Sequence, residues 1–167
     1  MLTVDGIPAH PLVIHGVVVI LPLAAAGTLL VAARPLWRRQ LGPWVLLLAV
    51  IGVGSVPVAL QTGAQLAQSL GGGSELVAIH AARASTLLFP AVLYLVLLAA
   101  TIVLGRRADA ATGDSPGAAH AVATRTANGT LQRVTLIVGV LAALAGIVVT
   151  GLVMWIGHAG ATAVWTS

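Results

Sequence analysis

The amino-acid sequence predicts an all-α membrane protein, a four-transmembrane-helix bundle that forms a single domain over residues 1–167. Hydrophobic residues make up 59% of the chain and charged residues only 7%, whereas roughly a quarter of the residues in a soluble domain are charged. Four long apolar runs follow one another along the sequence. Each can cross about 30 Å of hydrocarbon as a helix rising 1.5 Å per residue. Lipid is therefore the predicted solvent of most of the chain.

The four predicted spans are bounded by residues that begin or end helices. The first run begins at Pro11, a favoured first-turn position, and stops before Arg34 and Pro35. The second opens after Pro43 and closes before a glycine-rich turn at 71–73. We predict helices over about 11–33, 44–66, 76–104 and 134–158. Residues 106–133 are rich in Ala, Gly, Thr and Ser, which predicts a flexible cytoplasmic loop.

The arginines predict the orientation of the bundle. Seven of the eight fall between the first and second runs or between the third and fourth. They are Arg34, Arg38, Arg39, Arg106, Arg107, Arg125 and Arg133. Arginine-rich short loops are cytoplasmic, so both termini are predicted on the extracytoplasmic side. The arginines therefore explain the formal charge of +4 as a topology signal, and we expect the lipid bilayer, not nucleic acid, as the partner.

Several classes of chemistry lack the residues they require. The chain contains no Cys, which excludes disulfides, thiolate metal sites and covalent haem attachment through C-x-x-C-H in this chain. The sequence also has no Gly-rich phosphate loop with Lys, no G-x-S-x-G and no H-E-x-x-H. We therefore expect no independent catalytic activity.

Four of the five histidines are predicted at the extracytoplasmic face of the bundle. His10 and His15 lie at the outer start of the first helix, His80 at the outer start of the third and His158 at the outer end of the fourth, while His120 lies in the cytoplasmic loop. Ionisable side chains in membrane helices are costly and mark functional sites by default. The four outer histidines therefore form the candidate site.

Imidazole is a common ligand of haem iron and of transition metals. Two of His15, His80 and His158 could hold a b-type haem, with Arg83, three residues after His80, pairing a propionate. Alternatively, a copper or zinc ion could take three or four ligands from His10, His15, His80 and His158. His10 and His15 are about 140° apart around a helix, so they are not expected to face one ligand together.

A cofactor-free site remains open as a third interpretation of these histidines. Interfacial histidines can bond to the backbone or to water, and Arg83 can reach lipid headgroups or pair with Glu75. Small residues also recur every four positions, as in Ala59, Gly63 and Ala67. This spacing lets helix backbones approach closely within a bundle or in a helix-packing oligomer.

The segment GIPAHPLVIHGVVVILPLAA, residues 6–25, carries an H-P-L-x-x-H motif. It resembles the opening of a bacterial membrane family catalogued as domain of unknown function 2231. The resemblance extends over all four helices, including Thr62 and Gly63 and the third-helix His80. Ala64 and Gln65 stand where the family pattern would place an acidic residue. His10, His15 and His80 match the pattern.

Members of that family are similar small four-helix membrane proteins, and some are fused to Rieske-type iron–sulfur domains. The resemblance therefore implies the inner membrane of a bacterium, electron transfer, a Rieske-type or other redox partner and haem in preference to a bare metal. Our leading hypothesis is an electron carrier or redox sensor that binds haem b near the outer face. The alternatives are a non-catalytic accessory or scaffold subunit of a membrane complex, and a copper- or zinc-binding membrane protein.

Overall fold

The computed structural model describes the backbone of residues 2–113 and 121–165, and the side chains of these residues except 112–113, 121–128 and 163–164. The chain begins with a short antiparallel hairpin of β1 (Thr3–Val4) and β2 (Ile7–Pro8). Its turn places Asp5 and Gly6 at positive φ. The amide of Ala9 bonds to the carbonyl of Leu2, which ties the hairpin to the first helix.

Four helical spans follow the hairpin. The first consists of α1 (Ala9–His15), a π-helical segment (Gly16–Ile20) and α2 (Leu21–Ala33). The second is α3 (Pro35–Ser69), the third α4 (Glu75–Ser85) with α5 (Leu88–Gly113), and the fourth α6 (Ala121–Trp165). All four are long and apolar enough to cross a membrane. The predicted fold class, an all-α four-helix membrane protein, is confirmed.

The helices extend beyond the predicted bounds. The second begins at Pro35, α5 continues to Gly113 and α6 begins at Ala121, so much of the segment 106–133 that was predicted as a loop is helical. Alanine, the strongest helix former, recurs in the extensions of α5 and α6 and favours their continuation past the apolar runs. Residues 114–120, including His120, lie outside the described residues.

The third span is interrupted between α4 and α5 at Thr86 and Leu87. Pro90 lies four residues after Thr86 and has no amide hydrogen, so it cannot bond to the Thr86 carbonyl as a regular helix requires. The interruption separates the short helix α4, which carries His80 and Arg83, from the long apolar helix α5. The site residues of the third span thus lie on a short helix of their own.

The core is apolar, with a polar pair at its centre. Leu21, Val31 and Leu98 are buried among residues from all four spans. The Tyr94 hydroxyl lies 2.8 Å from the Thr28 hydroxyl, and Thr28 donates to the Ala24 carbonyl at 2.9 Å. Tyr94 must therefore donate to Thr28, so both buried hydroxyls are satisfied. This bond joins the first span to the third.

A glycine turn connects α3 to α4. Gly71, Gly72 and Gly73 have φ values of +83°, +100° and +78°, a region that side chains with a Cβ atom rarely enter. The amide of Gly72 bonds to the Ala67 carbonyl at 2.9 Å, which completes the end of α3. The turn reverses the chain and brings His80 to the end of the bundle that carries His10.

Candidate functional site

His10 links the first span to the second. Its Nδ1 atom lies 3.1 Å from the carbonyl oxygen of Ala59 and 3.3 Å from the Thr62 hydroxyl. Thr62 directs its own hydroxyl hydrogen to the backbone at Val58, so its oxygen is free to accept. A Cβ atom on Gly63 would come within 2.8 Å of the imidazole. The half-buried ring therefore depends on a glycine in α3.

His80 makes a comparable link between the third and fourth spans. Its Nδ1 atom lies 3.1 Å from the carbonyl oxygen of Ile156 in α6. The ring packs on Gly160, where a Cβ atom would come within 3.0 Å of it. Each of the two histidines thus combines a backbone carbonyl on a neighbouring span with a glycine beneath the ring.

These contacts fix the tautomer of each neutral ring. A carbonyl oxygen can only accept a hydrogen bond, so Nδ1 of His10 and Nδ1 of His80 must carry the hydrogen. In a neutral imidazole the other nitrogen, Nε2, then holds the lone pair. Metal-bound histidines typically have this arrangement, because a bond from the second nitrogen orients the ring and increases its basicity.

His10 and His80, here called the histidine pair, are the two histidines whose rings bond to a neighbouring span, His10 to the second and His80 to the fourth. His15 also bonds through Nδ1, at 2.7 Å from the Pro11 carbonyl, but its side chain is exposed on the first span. The His158 side chain is likewise exposed. Across the described part of the chain, no three histidine or carboxylate side chains are grouped closely enough to hold a metal ion. His10 and His80, which bond to neighbouring spans, therefore differ from His15 and His158, whose side chains are exposed.

Arg83 lies over the indole of Trp155, with its guanidinium carbon 4.4 Å from the ring centroid. The contact joins α4 to α6, one helical turn from His80 in sequence. An arginine held over an aromatic face gains a cation–π interaction and still exposes the edge of its planar group to other acceptors. Stacking on Trp155 thus holds the Arg83 guanidinium against α6, the helix to which His80 also bonds.

An apolar groove lies on the same half of the bundle, between the first and second spans. Its volume is about 390 Å³, and its walls include Leu12, Gly16, Gly54 and Val58. The π-helical segment Gly16–Ile20 forms part of one wall. Such segments interrupt the regular helix and are frequent at functional sites. The groove borders the helical turns that carry His10 and His15.

The sequence predicts the histidines as candidate site residues, but not most of the residues that their rings contact. Thr62 and Gly63 stood out as a small-residue region, without any indication that His10 packs on them. The sequence did not predict that Gly160, Ile156 and Trp155 contact α4, because these contacts span more than 70 residues of sequence. Glycine packing against a ring becomes visible only when the helices are placed side by side.

No curated protein and no solved structure matches the chain. A family model described as "Predicted membrane protein (DUF2231)" matches residues 6–167. The match covers all four spans and both members of the histidine pair, and it confirms the predicted family. The chain belongs to this family of membrane proteins.

Proposed function

We propose that this protein binds a b-type haem at the histidine-bearing end of the bundle and acts as an electron carrier or redox sensor, with His10 and His80 as the residues that would hold the iron. The observation that carries the proposal is the shared geometry of the two rings. Each directs Nδ1–H to a backbone carbonyl on another span, which leaves Nε2 with a lone pair for iron.

The surroundings of the pair suit a haem. Axial ligands from separate helices are the usual way in which a helix bundle holds a cofactor in its interior. Arg83, stacked on Trp155, is the cation available to a propionate group. The bound haem would supply one-electron chemistry, while the protein would fix the two imidazoles and exclude water from them.

We infer that the histidine end faces the outside of a bacterial inner membrane and that the arginine end faces the cytoplasm. The support is the bias of the arginines, because positively charged loops stay on the cytoplasmic side. Both termini would then be extracytoplasmic. The redox partner, of Rieske type or another class, would approach the outer end, where the distance to the histidine pair is shortest.

An oxidised-minus-reduced absorption spectrum tests the proposal, recorded on protein purified in mild detergent from haem-replete cells, with parallel metal analysis. We expect a Soret and α-band pair that is lost in His10→Ala and in His80→Ala. His158→Ala is the matched control, because its exposed side chain should leave the bands unchanged. Stoichiometric copper or zinc without a Soret band would show that the protein binds a bare metal ion and not a haem.

A second candidate, an accessory subunit of a membrane complex, is favoured by a different observation. Gly54, Gly151 and Gly157 are exposed, and a Cβ atom on any of them would meet open space. Glycines on a lipid-facing surface allow another helix to approach closely. A colourless, metal-free protein that purifies only with a partner would support this role and refute the haem.

A further inference from the structure

The opposite end of the bundle carries a cluster built around one carboxylate. Asp109 in α5 accepts a hydrogen bond of 2.8 Å from Nε of Arg39 and lies 3.6 Å from the guanidinium of Arg38. Both arginines belong to α3. The carboxylate therefore joins the second span to the third through two cations at once.

The two arginines differ in exposure. The Arg38 side chain is 10% exposed and fits against Gly105, where a Cβ atom would overlap the guanidinium. Its Nε atom has no hydrogen-bond partner among the described residues. The Arg39 side chain is 57% exposed. Arg38 is thus enclosed between the helices, whereas Arg39 faces outward.

Arg39 uses only one of its donor groups in this cluster. Its Nε binds Asp109, and among the described residues neither terminal nitrogen has an acceptor. Arg106 precedes Asp109 by three residues on α5, so the two side chains lie on the same face of that helix. Arg106 is exposed, and within the described residues no ion pair reaches it. Arg39 therefore contacts Asp109 directly, and Arg106 lies one helical turn before Asp109 on α5.

The charge of the cluster is not balanced within the described residues. Arg38, Arg39 and Arg106 oppose the single carboxylate of Asp109, which leaves an excess of two positive charges. The cluster lies at the end of the second span, just before the apolar run of α3 that begins at Trp44. An anion bound here would meet cations at the end of the apolar spans.

We propose that Arg39 and Arg106 form a binding site for the phosphate of an anionic phospholipid. Arginine is suited to this role because its planar fork matches phosphate geometry with two parallel hydrogen bonds. Basic pockets between membrane helices bind anionic headgroups in the same way. Asp109 holds Arg39 in place, and the buried Arg38 offsets the negative charge that the carboxylate would present to the lipid. The site is independent of the proposed haem.

Native mass spectrometry of the detergent-solubilised full chain, titrated with phosphatidylglycerol or with phosphatidylcholine, tests the site. We expect preferential retention of phosphatidylglycerol, decreasing as ionic strength rises because salt screens exposed charges. Each of Arg39→Gln and Arg106→Gln should weaken that binding about fivefold, and the double variant about thirtyfold, on the scale of surface arginines near anionic lipid. Arg133→Gln removes an equal charge from α6 and is the matched control.

Three results would overturn the proposal. Equal retention of the two lipids would show a general lipid contact, and equal weakening by Arg133→Gln would show an effect of net charge alone. Displacement of the lipid by millimolar inorganic phosphate would indicate a site for soluble anions. Since Arg39→Gln also loosens the link to Asp109, Arg106→Gln provides the variant that leaves the described ion pairs intact, and unchanged binding in it would refute the site.

Discussion

Replacing Gly63 by alanine should displace the His10 ring from its place on α3. The new Cβ atom would come within 2.8 Å of Cε1 of the imidazole, closer than real Cβ atoms approach, and within 3.2 Å of Nδ1. The ring must therefore move away and lose the hydrogen bond that Nδ1 shares between Ala59 and Thr62.

A control on the same helix isolates this effect. Gly54 also lies in α3, and a Cβ atom there would meet nothing within 4 Å. Both substitutions gain up to about 1 kcal/mol of helix propensity. Gly63→Ala additionally loses about 1 kcal/mol for the hydrogen bond and about 1–3 kcal/mol for overpacking. We therefore expect Gly63→Ala to be less stable than Gly54→Ala by at least about 2 kcal/mol.

The free energy of unfolding can be measured in mixed micelles by far-UV circular dichroism during a denaturing-detergent titration. Nitrogen chemical shifts of labelled histidine report the tautomer of His10 in the same samples. We expect the Nδ1–H signature of His10 in the wild type and in Gly54→Ala, and its loss in Gly63→Ala. Equal stability of the two variants, together with an unchanged His10 spectrum, would refute the packing of the ring on Gly63.

Two further predictions concern the polar contacts elsewhere in the bundle. Tyr94→Phe should lower the free energy of unfolding by about 1 kcal/mol, because it removes the bond to Thr28 while Thr28 keeps its backbone partner; unchanged unfolding in the same titration would contradict that bond. Asp109→Asn should cost about 2 kcal/mol, because the buried Arg38 loses its carboxylate. A loss no larger than that of Arg39→Gln would show that Arg38 does not depend on Asp109.

The four spans were predictable because burial in lipid imposes a simple pattern, about twenty apolar residues without a break. The helical extensions at either end of the segment 106–133 were not, since composition alone does not tell an alanine-rich loop from a helix that continues into water. Nor did the sequence reveal the π-helical segment Gly16–Ile20. That segment has no local marker in the sequence and is defined by its backbone hydrogen bonds.

The sequence predicts at which end of the bundle the candidate site lies, but not which of its histidines bond to a neighbouring span. Topology alone places His10, His15, His80 and His158 at one end of the bundle. Rotation of each helix about its axis decides which rings bond to a neighbouring span, and the rings of His10 and His80 do so where they pack on Gly63 and Gly160. The sequence does not show this rotation, so the three-dimensional structure was needed to distinguish His10 and His80 from His15 and His158.

The turn at Gly71, Gly72 and Gly73 has a consequence for the stereochemistry of the chain. Three successive residues at positive φ trace a path that mirror-image amino acids prefer, and glycine follows it because it has no handedness. D-alanine introduced at Gly72 by chemical ligation should therefore preserve the turn, whereas L-alanine should strain it. The connection between the second and third spans therefore has the backbone conformation of D-amino acids, whereas the helices that it joins have that of L-amino acids.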